Sequence, residues 1–130
     1  VSALITNHDG TVAVQQLQDT MAKYPDLDVF ITTGAFTQWG DNAYRQAIDP
    51  YKGKLADGSL VVLSADTLDM QMQQLKDGLS SGQVGQRPFQ MGYLGMQRLN
   101  ELTEGKTLTD PEYTGLDVCT KENADTCIAQ

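Results

Sequence analysis

One junction in the sequence constrains the fold more than any other. SLVVLSAD (Ser59–Asp66) is an apolar, β-branched run, and it leads directly into TLDMQMQQLKDGLSSG. In that second stretch Leu68, Met72, Leu75 and Leu79 fall at i, i+4, i+7 and i+11, the spacing of an amphipathic helix. A buried strand followed at once by a helix is the repeating unit of a parallel sheet, because parallel neighbours need a crossover between them.

The same alternation runs along the chain. SALIT (Ser2–Thr6) reads as a strand, and TVAVQQLQDTMAKYP as a helix with Val14, Leu17 and Met21 on one face and Pro25 as its end. LDVFITTG (Leu27–Gly34) reads as a strand covered on both faces. DNAYRQAIDP predicts a short helix with Asp41 as N-cap and Pro50 as stop, and YKGKLADG a polar loop. QVGQ is a short strand, and Pro88 opens a helix with Met91, Leu94, Leu99 and Leu102 in one stripe, read as core. Beyond Lys106 the chain reads as irregular, with one extended piece at Thr114–Cys119.

This rhythm predicts an α/β domain of βαβ units with right-handed crossovers. Ligands of such open sheets lie beyond the carboxyl ends of the strands. Four polar segments meet there: Thr6-Asn7-His8-Asp9, Thr32-Thr33-Gly34, Ser64-Ala65-Asp66 and Gly85-Gln86-Arg87.

Composition narrows the function. At 130 residues, with 40% hydrophobic and 20% charged residues, the chain is one domain able to bury a core. A formal charge of −8 argues against nucleic acid as a partner, since phosphate binding needs a basic footprint, and against anionic membranes. The chain starts VSALITNHDG, with neither an initiator Met nor a signal-like segment, and so reads as a mature, processed or truncated product. Cys119 and Cys127 lie in a polar, turn-rich stretch far from the single His8, which favours a disulfide over a metal site. Closing that loop is worth roughly 2.5 kcal/mol in the chain-entropy model. A paired count points to an oxidising compartment; two unrelated free thiols in a reducing cytoplasm are the alternative.

The order KYPDLDVFITTG, DGSLVVLSAD, GQVGQRPFQMGYLGMQRLNELTEGKTL resembles the carboxyl-terminal part of the type I periplasmic sugar-binding proteins, the ribose and galactose type that serves ABC importers. The family pattern QxPxxxGxxG matches at Gln86, Pro88, Gly92 and Gly95, and the likeness extends to about Leu108. The resemblance implies an incomplete three-layer lobe. Residues 1–87 would be βα units of the second lobe, 88–108 a helix belonging to or crossing toward the first, and 109–130 an irregular tail carrying both cysteines. It implies a periplasmic protein that binds a small sugar between two lobes and docks on an ABC permease, without cofactor or catalysis. Apolar faces left bare would be covered by a missing amino-terminal lobe or by a second copy of the chain.

The resemblance also assigns residues. Asp66 stands where a carboxylate takes two sugar hydroxyls, and Gln86 where an amide contacts another. Thr33, or Gly34, stands where the family has an Asn-Asp pair; TTGAFTQWG departs from it, and Phe36 or Trp39 can offer an apolar face to a pyranose instead. A carboxylate accepts from two hydroxyls, while an amide both donates and accepts, so the residue types suit the task. Each has a plainer role. Asp66 with Thr67 can N-cap the next helix, and Gln86 can end a strand in solvent. Arg87 can reach a sugar or a carboxylate, or simply be exposed. Asn7 and His8 can contact ligand or the hinge, or form a turn or cap, and Trp39 can be a packed aromatic.

An enzyme is disfavoured. There is no G-x-S-x-G elbow, and His8 has no evident orienting acid. No G-x-G-x-x-G or Walker motif is present, which leaves a flavodoxin-like enzyme a distant alternative. The closer competitor is the effector-binding domain of a sugar-responsive transcription repressor. The state of Cys119 and Cys127 separates the two.

Overall fold

A computed structural model describes residues 3–128. Helix α1 (Gly10–Lys23) begins where the Asp9 carboxylate accepts from the backbone N–H groups of Thr11 and Val12, an acidic N-cap on otherwise unpaired donors. Its apolar stripe is the expected one: Val14, Leu17 and Met21 are buried. Strand β1 (Val29–Thr32) leads to the short α2 (Phe36–Trp39) and to α3 (Asp41–Ile48). A 3-10 turn (Asp49–Tyr51), α4 (Lys52–Asp57), β2 (Val61–Ala65) and α5 (Asp69–Lys76) follow. Then come β3 (Gly82–Gly85), α6 (Pro88–Thr103) and β4 (Asp117–Cys119).

The sheet order is β1-β2-β3-β4, with the first three strands parallel and β4 antiparallel to β3. Spatial order follows chain order, so right-handed crossovers place the intervening helices on one side. Register confirms it. Phe30, Val62, Ser64, Gln83 and Cys119 share a face through their pairings. On that face Val62 packs with Val14, Leu17, Tyr44, Ile48 and Leu60, while Cys119 packs with Met72 and Leu75. Burying one Leu such as Leu17, fully inaccessible here, contributes about 2 kcal/mol. Tyr44 is equally buried; its hydroxyl donates to Leu79 O at 2.6 Å, and burial pushes its phenol well above the ordinary tyrosine value.

The opposite face is bare. Val29 and Ile31 on β1 are 47% and 63% exposed, and Val118 on β4 is 62% exposed. Cover on both faces, as expected for residues 27–34, is therefore not observed at β1, although Val61, Leu63 and Val84 on the same face are partly buried. The α/β lobe is incomplete in this sense, lacking among its described residues the second helical layer.

Other expectations change for local reasons. Ser2 lies outside the described residues, and residues 3–6 form no strand. Ile5 O accepts from the Gln16 side chain and Thr6 O from Asp9 N–H, so α1 and a turn take the carbonyls that a ladder would use. Asp41 is the first helical residue of α3 rather than its cap, which is Gly40. Pro50 does not stop the chain's helical run, because proline is tolerated in a first turn, here that of the 3-10 segment. The presumed loop at YKGKLADG is largely α4: Leu55 packs on the core, and Gly58, at φ +78°, supplies the left-handed cap that ends it. Helix α5 is shorter than its stripe. Leu68 precedes it and is exposed, while Leu79 is buried beyond its end.

Helix α6 is where expected, but its stripe is not core. None of its residues is buried, and Phe89, Tyr93, Met96 and Leu99 are more than half exposed. Arg98 holds Glu101 on α6 and, in two bonds, Glu112 on the following segment. The extended piece expected at Thr114–Cys119 is β4, which returns the chain to the sheet. There Cys119 and Cys127 form a disulfide.

Candidate functional site

Three strand ends converge as the sheet topology requires. At the end of β2, Asp66 adopts φ +74°, a left-handed conformation unusual outside glycine and best tolerated by Asp and Asn. Its backbone N–H donates to Val84 O on β3, which pins the loop. Its carboxylate then spans two neighbours: Gln86 Nε2 donates to Oδ1 at 3.0 Å, and the Ala35 backbone N–H donates to Oδ2 at 3.1 Å. Asp66 does not cap α5, whose preceding residue Leu68 instead donates its N–H to Gln71 Oε1. It holds the entrance to α2. Nearby, the Thr32 hydroxyl donates to Ser64 Oγ at 2.7 Å and ties the β1 and β2 ends together.

Directly after Ala35, the Phe36 ring stacks on His8 at 5.0 Å between centroids and meets Trp39 edge-on at 4.8 Å. His8 and Asn7 both have positive φ, +61° and +51°, in the turn that precedes α1. That turn is thereby brought to the β1 end, and Trp39 presents about half its surface to solvent. A carboxylate and an amide thus lie one residue from a three-ring apolar surface. Such a pairing suits a polyhydroxylated ring with one polar edge and one C–H face.

Of the residues singled out in the sequence, Asp66, Gln86, Phe36 and Trp39 are brought together, with His8. Thr33 is exposed between Thr32 and Gly34, and Asn7 is exposed in the turn beside His8. Arg87 turns the other way. Its guanidinium pairs with the buried Asp117 carboxylate at 2.7 Å and donates to Thr114 O, joining the start of α6 to β4.

Sequence reasoning missed the layer beneath. Gln38, Gln71, Gln74 and Gln83 are each essentially inaccessible. Gln71 Nε2 donates to Gln38 Oε1 at 2.7 Å and to Ala65 O at 2.9 Å, and Gln83 Nε2 donates to Gln38 Oε1 at 3.2 Å. Gln74 Nε2 donates to Asp41 Oδ1, which with Arg45 holds that carboxylate below its ordinary range. The available signal was QMQQ at Gln71–Gln74, glutamines interleaved with the apolar positions Met72 and Leu75.

The family model of the periplasmic binding protein domain matches residues 1–107. The chain belongs to this family. Solved structures of ABC-transporter solute-binding proteins agree with it in fold. A solute-binding protein of an ABC transporter from Agrobacterium vitis, bound with α-D-tagatopyranose, superposes with a TM-score of 0.80 at 26% identity. That match covers 97% of this chain and 40% of the other. A second from the same organism, with bound D-fucose, gives 0.78 at 26% identity, over 97% and 41% of the two chains. One from Burkholderia graminis, in complex with D-arabinose, gives 0.72 at 28% identity, over 93% and 41%. The chain therefore spans about two-fifths of these solute-binding proteins. No curated protein matches it.

Proposed function

We propose that the chain is the carboxyl-terminal part of a sugar-binding, ABC-importer solute-binding protein working outside the cytoplasm. One observation carries the reading: Asp66 bridges Gln86 and the Ala35 N–H beside the Phe36–Trp39 rings. Asp66 and Gln86 take sugar hydroxyls, with Thr33 and Asn7 at the rim and Arg87 behind Gln86. Trp39 and Phe36 offer the ring face. Binding involves no chemistry. Two lobes close on the solute, the closed form docks on the permease, and the solute drives closure by binding the closed state better.

Residues 1–87 serve as second-lobe units and 88–108 as a helix of, or crossing toward, the first lobe. The uncovered apolar surface of α6 supports that division. A missing amino-terminal lobe, or failing that a second copy, covers the bare faces. The Cys119–Cys127 disulfide favours a periplasmic setting over a cytoplasmic repressor domain.

The test is a fluorescence titration of Trp39, the single tryptophan, with a panel of monosaccharides. It is run on this chain alone and again with the missing portion supplied. A saturable response to one sugar, sharper or visible only in the reconstituted form, is expected. No response in either form would overturn the reading.

A further inference from the structure

Asp66 and the aromatic pair stand on different segments, and the exposed bonds between them are few. Beneath them runs a buried polar path, in which Gln38 Nε2 alone among the side-chain amide atoms of Gln38, Gln71 and Gln83 is left without a hydrogen-bond partner. Gln38 lies in α2 between Phe36 and Trp39, and its Oε1 accepts from Gln71 Nε2 at 2.7 Å and from Gln83 Nε2 at 3.2 Å. Gln71 grips the loop that carries Asp66 from both sides: its Nε2 donates to Ala65 O, and its Oε1 accepts from Leu68 N–H. Gln83 is anchored in β3 and also donates to Ser80 Oγ at 3.1 Å. All three glutamines are buried to within 1% of complete inaccessibility. Apolar residues would pack there with less risk, since an amide that loses its partner in such a place is costly. What amides add is direction: two helices and a strand are held at one mutual angle and distance.

We propose that Gln38 and Gln71 are positioning residues, forming a buried amide relay that fixes the Asp66 loop against the Phe36–Trp39 turn. The relay sets where a carboxylate stands relative to a ring surface, and its bearing on sugar recognition rests on the function proposed above. Gln38 enters the relay through its oxygen, which makes a sharp test available. Gln38→Met keeps length and loses the acceptor. Gln38→Glu keeps an acceptor oxygen in either protonation state.

The experiment uses the full chain without sugar. It reads the hydrogen-exchange protection of the Ala35 amide, which donates to Asp66, and the near-ultraviolet circular dichroism of Trp39. In Gln38→Met the Ala35 amide should exchange about tenfold faster, the factor carried by one buried hydrogen bond, and the Trp39 band should collapse. Amides within β2 should keep their protection, and Gln38→Glu should retain both signals. Unchanged signals in a folded Gln38→Met overturn the relay, as does a Gln38→Glu protein that behaves like Gln38→Met. Should Gln38→Met fail to fold, Gln83→Met removes one of the two donors and should give a partial loss at Ala35; full protection there overturns the relay too. With no sugar present, such a result leaves the sugar reading untouched. A silent sugar titration with both signals intact does the reverse.

Discussion

Gln86 Nε2 lies 3.0 Å from Asp66 Oδ1, so the residues that directly follow two adjacent parallel strands are joined side chain to side chain across the sheet's carboxyl edge. The free carboxylate lone pairs beside that bond are what a sugar hydroxyl would meet. Asp66→Asn tests their importance. Asn tolerates the positive φ and keeps one oxygen for the Ala35 N–H, so stability should change by less than about 1 kcal/mol. Sugar affinity of the reconstituted protein should fall by at least about tenfold, because charge-assisted bonds are replaced by neutral ones. Trp39 titration of variant and parent measures both affinities, and a denaturant midpoint checks the fold.

Gly34 makes the aromatic surface possible. A Cβ at Gly34 would meet Phe36 Cε2 at 2.7 Å and Cδ2 at 3.0 Å, so the ring can lie over His8 only because that position is bare. Gly34→Ala should swing Phe36 off His8 at a cost of about 1 kcal/mol, within the range for a forced side-chain shift. Trp39 emission and near-ultraviolet dichroism should change while the far-ultraviolet spectrum does not.

Arg45 joins two carboxylates whose titration should make the fold acid-sensitive. Its guanidinium reaches Asp41 at 2.8 Å and Asp77 at 2.7 Å. Asp41 is held low by Gln74 and then by Arg45, and Asp77 by Arg45 and then Gln73, both from an ordinary value of 3.8. Depressed carboxylates contribute stability that is complete above the ordinary value and is lost as pH falls through the lowered one. Urea midpoints should therefore be flat from neutrality down to about pH 4 and decline below it. Arg45→Gln should remove part of that slope and cost no more than about 1 kcal/mol at neutral pH, since the pair is partly solvated.

Reduction of Cys119–Cys127 should weaken the chain by roughly 2.5 kcal/mol in the chain-entropy model, as the bridge spans a small loop. The loss should appear first in β4, whose Cys119 opposes Gln83 in β3. Hydrogen exchange with and without reductant should show Gln83 and Gly85, which face β4, losing protection while β1 and β2 retain theirs.

The parallel order and the meeting of the strand ends were legible because periodicity and β-branching report local preference, and the handedness of crossovers does the rest. That geometry set Asp66 and Gln86 at the carboxyl edge; their assigned roles came from the family resemblance, and Phe36 from its residue type. Exposure was less so: Ile31 and Leu99 carry the residue types of a core, and whether anything covers them depends on elements a local pattern does not contain. Residues 3–6 illustrate the same point, for a short, mostly apolar segment is a strand only if a neighbour offers a ladder. Gln38 was invisible for the converse reason. A glutamine between Phe36 and Trp39 gives no sign that two others will close on its side chain.

A sheet whose strands are ordered in space as they are in sequence can be assembled in chain order. Each βα unit finds its neighbour already made, β1 before β2 and β2 before β3, with no strand waiting on a later one for its place. Only β4 runs the other way, and it arrives last, bringing Cys119 with it. Oxidation of that cysteine pair can thus serve as the seal on a lobe assembled from its amino-terminal end.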